Sequence, residues 1–308
     1  MRLQGFHSRK PGAEPRGLVV LLHGWGGSSE SGYMLFTAAR LVADGFDVFR
    51  LNFRDHGDTH HLNAGLFLFS DLEEVVQAVS DVAWRFPTPA LFAAGYSLGG
   101  NFALRLALAA SAAGIELRHV AAVCPLLDPA GGMDALERGL PIYYRYFMRN
   151  WRRSLRKKRS LFPDLHTYDD STLARSMCSL TRELIFPHSG FTTLEEFHDS
   201  YSLSSERLSQ LQVPASILAA ADDPIVSVGY FRQLALPAHS RLEINAWGGH
   251  CGFIVDGSLA GLAERWISTR LECSLHCASQ SSCFVPGTAG KPDERRPAVP
   301  ASVEELNE

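Results

Sequence analysis

The chain has 308 residues and a formal net charge of −4, with 46% apolar and 20% charged residues. A core of that size needs no disulfide or metal staple, and the length allows one large α/β domain or two small ones. The apolar share excludes a fibrous or disordered chain, and the acidic balance argues against wholesale nucleic-acid binding.

The N-terminal MRLQGFHSRKPGAEPRG has no apolar run of signal-peptide length, and no later window approaches the ~20 apolar residues of a membrane-spanning helix. The expected location is therefore cytoplasmic. Short β-rich apolar runs at residues 18–22, 46–51, 91–94, 119–124, 216–220 and 242–246 alternate with helical patterns. This is the pattern of a mostly parallel sheet flanked by helices. Between the second and third runs, Leu72, Val75, Val76, Val79 and Val82 keep a helical period, with Ser70 and Glu73 spaced as a capping box.

After the first run, LLHGWGGSSES forms a glycine-rich loop containing His23, Gly24 and Trp25. No lysine stands where a phosphate-binding loop needs one, so the loop does not read as a nucleotide site. The third run meets GYSLG, in which Gly95 and Gly99 flank Ser97 where a strand should end and a helix begin. A turn this sharp leaves no room for side chains at the flanking positions and holds the serine hydroxyl at the carboxyl edge of the sheet. A serine hydroxyl is a weak nucleophile near neutral pH. It needs a base to take its proton and an acid to orient that base.

Both follow downstream in the order serine, acid, histidine. ADDPIV offers Asp222 and Asp223 after the fifth run, and GGHCGF offers His250 after the sixth. Asp128, in CPLLDP, is a third candidate acid that reads better as a loop former. His56, His60 and His61 share another loop that could approach the site, but His60 and His61 lack the glycine setting of His250. The backbone amides of Leu98 and Trp25 are the candidate oxyanion donors. Such a site requires neither metal nor organic cofactor.

The strand rhythm stops between about 131 and 211, which reads as an inserted helical cap. Within it, residues 142–162 carry eight basic residues from Arg145 to Arg159 and no acid, with Tyr144, Phe147, Trp151 and Leu155 at helical spacing. A cap helix would pack that apolar stripe over the serine and leave its charges in water. The same pattern suits peripheral contact with an anionic membrane. A further helical pattern covers 257–271, and 272–308 reads as a disordered tail. Cys124, Cys178 and Cys251 are scattered thiols. Cys273, His276, Cys277 and Cys283 fit none of the paired zinc spacings.

With these residues in hand, the sequence resembles the YheT-like α/β-hydrolases, bacterial relatives of the eukaryotic α/β-hydrolase-domain lipases. The motifs that carry the likeness are LLHGWGGSSESGYM, NFRDHGDT, GYSLGGN, ADDPIV and GGHCGF, and more loosely GFTTLEEFHDSYS. The resemblance implies an eight-stranded core with a helical cap. It favours Asp223 over Asp222 and gives Ser97, Asp223 and His250 as a triad acting on small-molecule carboxylic esters, acyl or lipid-like. None of the twelve histidines has an aspartate five positions on, so an acyl-transfer motif of that form is not present. The alternatives are cleavage of an amide or thioester, or a non-catalytic ligand-binding protein on the same fold.

Overall fold

A computed structural model describes residues 1–254 and 261–276. All six expected strands form, each within two residues of its predicted bounds: β2 (Leu18–Leu22), β3 (Asp47–Asn52), β4 (Leu91–Tyr96), β5 (Leu117–Val123), β6 (Ala215–Ala220) and β7 (Arg241–Asn245). They are joined by β1 (Gln4–Ser8), which the sequence pattern did not reveal because QGFHS has no apolar run and stays partly solvated at the sheet edge. The order is β1-β3-β2-β4-β5-β6-β7, with β1 antiparallel to β3 and the other pairs parallel. The described residues thus form seven strands, not the eight implied by the family resemblance.

Every residue of β2 is fully buried because helices cover both faces of the sheet. Alternation along the strand divides its side chains between two cores. Leu18, Val20 and Leu22 pack with α2 (Leu72–Arg85) and α3 (Leu98–Ala109), whereas Val19 and Leu21 pack with α1 (Gly32–Ala43) and the C-terminal helix Leu262–His276. The latter helix runs five residues past the predicted end at 271. Cys277, Cys283 and the rest of the expected tail lie outside the described residues. Among those described, no helix is long and apolar enough to cross a membrane.

The predicted capping box of α2 does not form. The helix begins at Leu72 with Asp71 at the N-cap position, and the Ser70 carbonyl instead accepts a hydrogen bond from the Arg105 guanidinium. A complete capping box occurs elsewhere, between Thr193 and Glu196 at the start of the helix Leu194–Tyr201.

Between β5 and β6 the chain is helical, beginning with α4 (Pro129–Arg138) and the long α5 (Pro141–Leu161). Trp151 and Leu155 are buried along α5 as their spacing suggests, and Met148 joins them. Contrary to expectation, not all of the basic residues reach water. Lys158 is 0% exposed and donates to Asp55 Oδ1 (2.5 Å), the Asn63 carbonyl (2.5 Å) and the His60 carbonyl (3.2 Å). All three ammonium protons therefore have acceptors on the loop after β3, which fastens α5 to the core.

Candidate active site

The carboxyl edge of the sheet gathers three loops. At the end of β4, Ser97 sits at φ 53° and ψ −116°, a sparsely populated conformation for a residue with a side chain. Its amide donates to the Val123 carbonyl at 2.9 Å, which ties the turn to β5. The flanking glycines are required by space. A Cβ on Gly95 would stand 2.2 Å from the Gly99 carbonyl oxygen, and one on Gly99 would stand 2.2 Å from the carbonyl oxygen of Leu22.

The loops after β6 and β7 complete the arrangement. The Ser97 hydroxyl lies 2.8 Å from His250 Nε2, and His250 Nδ1 lies 2.9 Å from Asp223 Oδ2 and 3.1 Å from Oδ1. The side chain of Asp223 is 1% exposed, and that of His250 is 10% exposed. Asp223 Oδ1 also accepts the amides of Ile225 (2.8 Å) and Val226 (3.0 Å), which fix the carboxylate in the turn. With Nδ1–H donating to Asp223, Nε2 is left as the acceptor facing the hydroxyl.

Asp222 has a different task from the one its position suggested. Its Oδ1 accepts the amides of Gly248 and Gly249, both at 2.8 Å, and so holds the loop that carries His250. Asp128 lies off this chain of contacts, where its carboxylate accepts the Tyr230 hydroxyl. His56 is buried, and His60 is buried against Ser154 on α5 at 2.8 Å. Burial lowers each of these imidazoles to about 4. His61 is exposed.

The glycine-rich loop after β2 reaches the same edge, since a Cβ on Gly24 would lie 3.5 Å from Ser97 Cβ. Among the described residues, neither the Trp25 nor the Leu98 amide donates to another protein group. Both are thus free to donate to an oxyanion. His23 shapes this loop. Its Nε2 accepts the Phe53 amide at 3.2 Å, which leaves Nδ1–H to donate to the Gly24 carbonyl at 2.8 Å. Burial keeps the ring neutral by holding its pKa well below the ordinary value, with neighbouring His56 adding to the shift. The Tyr33 hydroxyl accepts the Gly24 amide at 2.9 Å, and burial pushes that phenol up to about 12. Sequence reasoning missed His23, Tyr33 and Asp222 as organisers of the site. The only signal for His23 was its place directly after a buried strand.

Over Ser97 and His250 lies an apolar cavity of about 60 Å³, walled by Leu126, Met133, Leu136, Phe147, Trp151 and Ile225 among others. Among the described residues, no carboxylate lines it. Asn101 secures the cap beside it, donating from Nδ2 to the carbonyls of Leu126 (2.7 Å) and Tyr201 (2.8 Å).

Sheet order, the sharp turn at Ser97 and the inserted helices define an α/β-hydrolase fold. The chain belongs to the Hydrolase_4 family (serine aminopeptidase, S33), whose model matches residues 13–246. It is 22% identical over 264 residues to Protein abhd-3.2 of Caenorhabditis elegans, covering 82% of this chain and 68% of that protein. It is 23% identical over 251 residues to Phospholipase ABHD3 of Bos taurus, covering 79% and 59%. Embryogenesis-associated protein EMB8 of Picea glauca is 26% identical, and the chain spans only 56% of its length. Among solved structures, the esterase Pf2001 of Pyrococcus furiosus superposes with a TM-score of 0.55 at 13% identity, covering 90% of this chain and 92% of that one. A monoacylglycerol lipase of Paleococcus ferrophilus gives 0.54 at 17% identity, covering 89% and 100%. At such identities these structural likenesses concern the fold.

Proposed function

We propose that the protein is a serine hydrolase of carboxylic esters, of the YheT-like branch, with Ser97 as nucleophile, His250 as general base and Asp223 as its orienting acid. The observation that carries this reading is the unbroken contact chain from Asp223 through His250 to Ser97, opening on an apolar cavity beside two amides without a partner among the described residues. His250 takes the proton of Ser97 as the hydroxyl attacks the ester carbonyl. The amides of Trp25 and Leu98 stabilise the oxyanion, and His250 returns the proton to the departing alcohol. Water activated by the same imidazole then releases the acid. The apolar lining favours an acyl or lipid-like ester. Among relatives, the names phospholipase and monoacylglycerol lipase agree with that class. The aminopeptidase in the family's description would call for an acidic group to receive a substrate ammonium. Among the described residues, the cavity lining supplies none.

The reading is tested by a fluorophosphonate probe on wild type and Ser97→Ala. Covalent labelling is expected on wild type and absent from the variant, with ester hydrolysis lost in parallel. A folded wild-type protein that neither labels nor cleaves esters would overturn it and favour the ligand-binding alternative.

Peripheral docking on an anionic membrane is a companion proposal, supported by one face of α5. Of its eight basic residues, Lys157, Arg156 and Arg159 pair with carboxylates, Lys158 is buried, and Arg152 donates to the carbonyls of Ala174 and Arg175. Arg145, Arg149 and Arg153 remain exposed at successive turns, near exposed Leu140, Ile142 and Tyr146. Sedimentation with phosphatidylserine-containing vesicles is expected at low salt and should weaken as salt rises. No sedimentation at low salt would remove the proposal.

A further inference from the structure

The space beside Ser97 is too small for most acyl groups. At about 60 Å³ it falls far below the about 300–1,000 Å³ that ligand pockets commonly reach. A cavity of about 350 Å³ lies next to it, with Leu66, Phe67, Leu155 and Ile185 on its apolar wall and Arg153 and Asn150 among its polar lining. Among the described residues, only Trp25, Phe69 and Trp151 line both cavities.

We propose that the Trp25 indole is the partition between these cavities and sets the length of chain that can lie against Ser97. This rests on the ester-hydrolase reading and adds a specificity-determining side chain to it. The indole stacks on Phe147 of α5 at 5.2 Å and 11°, and meets Phe69 (5.2 Å, 66°) and Trp151 (5.6 Å, 69°) edge to face. The other two shared residues are held by their own surroundings. Phe69 stacks on Tyr201 at 5.7 Å, and Trp151 is a buried residue of α5. Trp25 is a half-buried loop residue whose backbone course is fixed independently of its ring, by His23 Nδ1–H on the Gly24 carbonyl and by the Gly27 amide on the same oxygen at 3.0 Å. Shortening Trp25 therefore removes the wall and leaves its backbone amide available as an oxyanion donor.

Wild type should accordingly favour short acyl esters, and Trp25→Ala should extend the range by opening the larger cavity. The experiment compares kcat/KM for p-nitrophenyl acetate through decanoate in wild type, Trp25→Ala and the milder Trp25→Leu. Fluorophosphonate labelling of Ser97 in each verifies the nucleophile. In parallel, calorimetry measures decanoate binding to all three proteins. The ratio of decanoate to butyrate kcat/KM should rise at least about tenfold in Trp25→Ala, a modest demand when one methylene in an apolar pocket is worth about tenfold or more. Decanoate should bind correspondingly tighter. Folded, labelled variants with unchanged chain-length preference and unchanged decanoate affinity would overturn the partition. Absence of labelling in every protein would instead sink the hydrolase reading. Decanoate affinity would then decide the partition alone, an unchanged value overturning it.

Discussion

Asp223→Asn is expected to lower kcat toward a p-nitrophenyl ester by about 10⁴-fold without unfolding the protein, because it reverses the imidazole tautomer. The size of the loss follows from how the carboxylate is held. Oδ1 accepts the Ile225 and Val226 amides, so an asparagine must put its carbonyl oxygen there to avoid facing two donors with a third. Its NH₂ group then falls where Oδ2 now stands, 2.9 Å from His250 Nδ1. A donor at that point requires Nδ1 to be the unprotonated nitrogen. The proton moves to Nε2, which can no longer accept from the Ser97 hydroxyl.

The neighbouring aspartate gives the contrast that makes this specific. Asp222→Asn can still offer one carbonyl oxygen to the amides of Gly248 and Gly249, so its loss should stay within about tenfold. Circular dichroism and thermal melting of both variants separate catalytic from folding defects, while steady-state kinetics give the ranking. A stronger defect in Asp222→Asn than in folded Asp223→Asn would reject the assignment of the acid.

The parts of the site legible in the sequence are those whose chemistry is local. Ser97 is marked by Gly95 and Gly99, which the packing of β4 and α3 against β2 requires, and His250 is marked by its glycine loop. Buried strands declare themselves as apolar runs, but β1 lies at a half-solvated edge and leaves no comparable pattern. The work of Asp222 was hidden because its partners are backbone amides in a loop more than twenty residues away. His23 acts through backbone groups from two separate segments, so no spacing could announce it. The capping box drawn at Ser70 failed because the helix began after Asp71, a boundary set by tertiary contacts of the preceding loop. Cavity size was equally invisible, since it depends on how the rings of Trp25, Phe69, Phe147 and Trp151 meet across three segments.

Lys158 looked like any other charge in a basic helix, yet Lys158→Met is expected to cost about 3–5 kcal/mol of stability, the range for breaking one side of a buried ion pair. Methionine retains much of the apolar stem but removes the ammonium. It leaves Asp55, whose side chain is 5% exposed, without its cation, and leaves the carbonyls of His60 and Asn63 without this donor. The opposing effects are visible in the pair itself. Burial pushes the Asp55 carboxyl up and the Lys158 ammonium down, while the hydrogen bond between them counters both shifts. Neutralising the acid as well should recover part of the loss. In Asp55→Asn/Lys158→Met the amide can still accept from the Phe67 amide, as Asp55 Oδ2 does at 2.9 Å, and asparagine tolerates the φ of 60° at this position. Denaturant unfolding should therefore rank wild type above the double variant, and the double variant above Lys158→Met. Because α5 also supplies Phe147 and Trp151 to the cavity at Ser97, the loss of this anchor should reduce ester hydrolysis before global unfolding. If Lys158→Met unfolds within about 0.5 kcal/mol of wild type, the buried pair does not hold the helix to the core, since that is the range of an ordinary surface substitution.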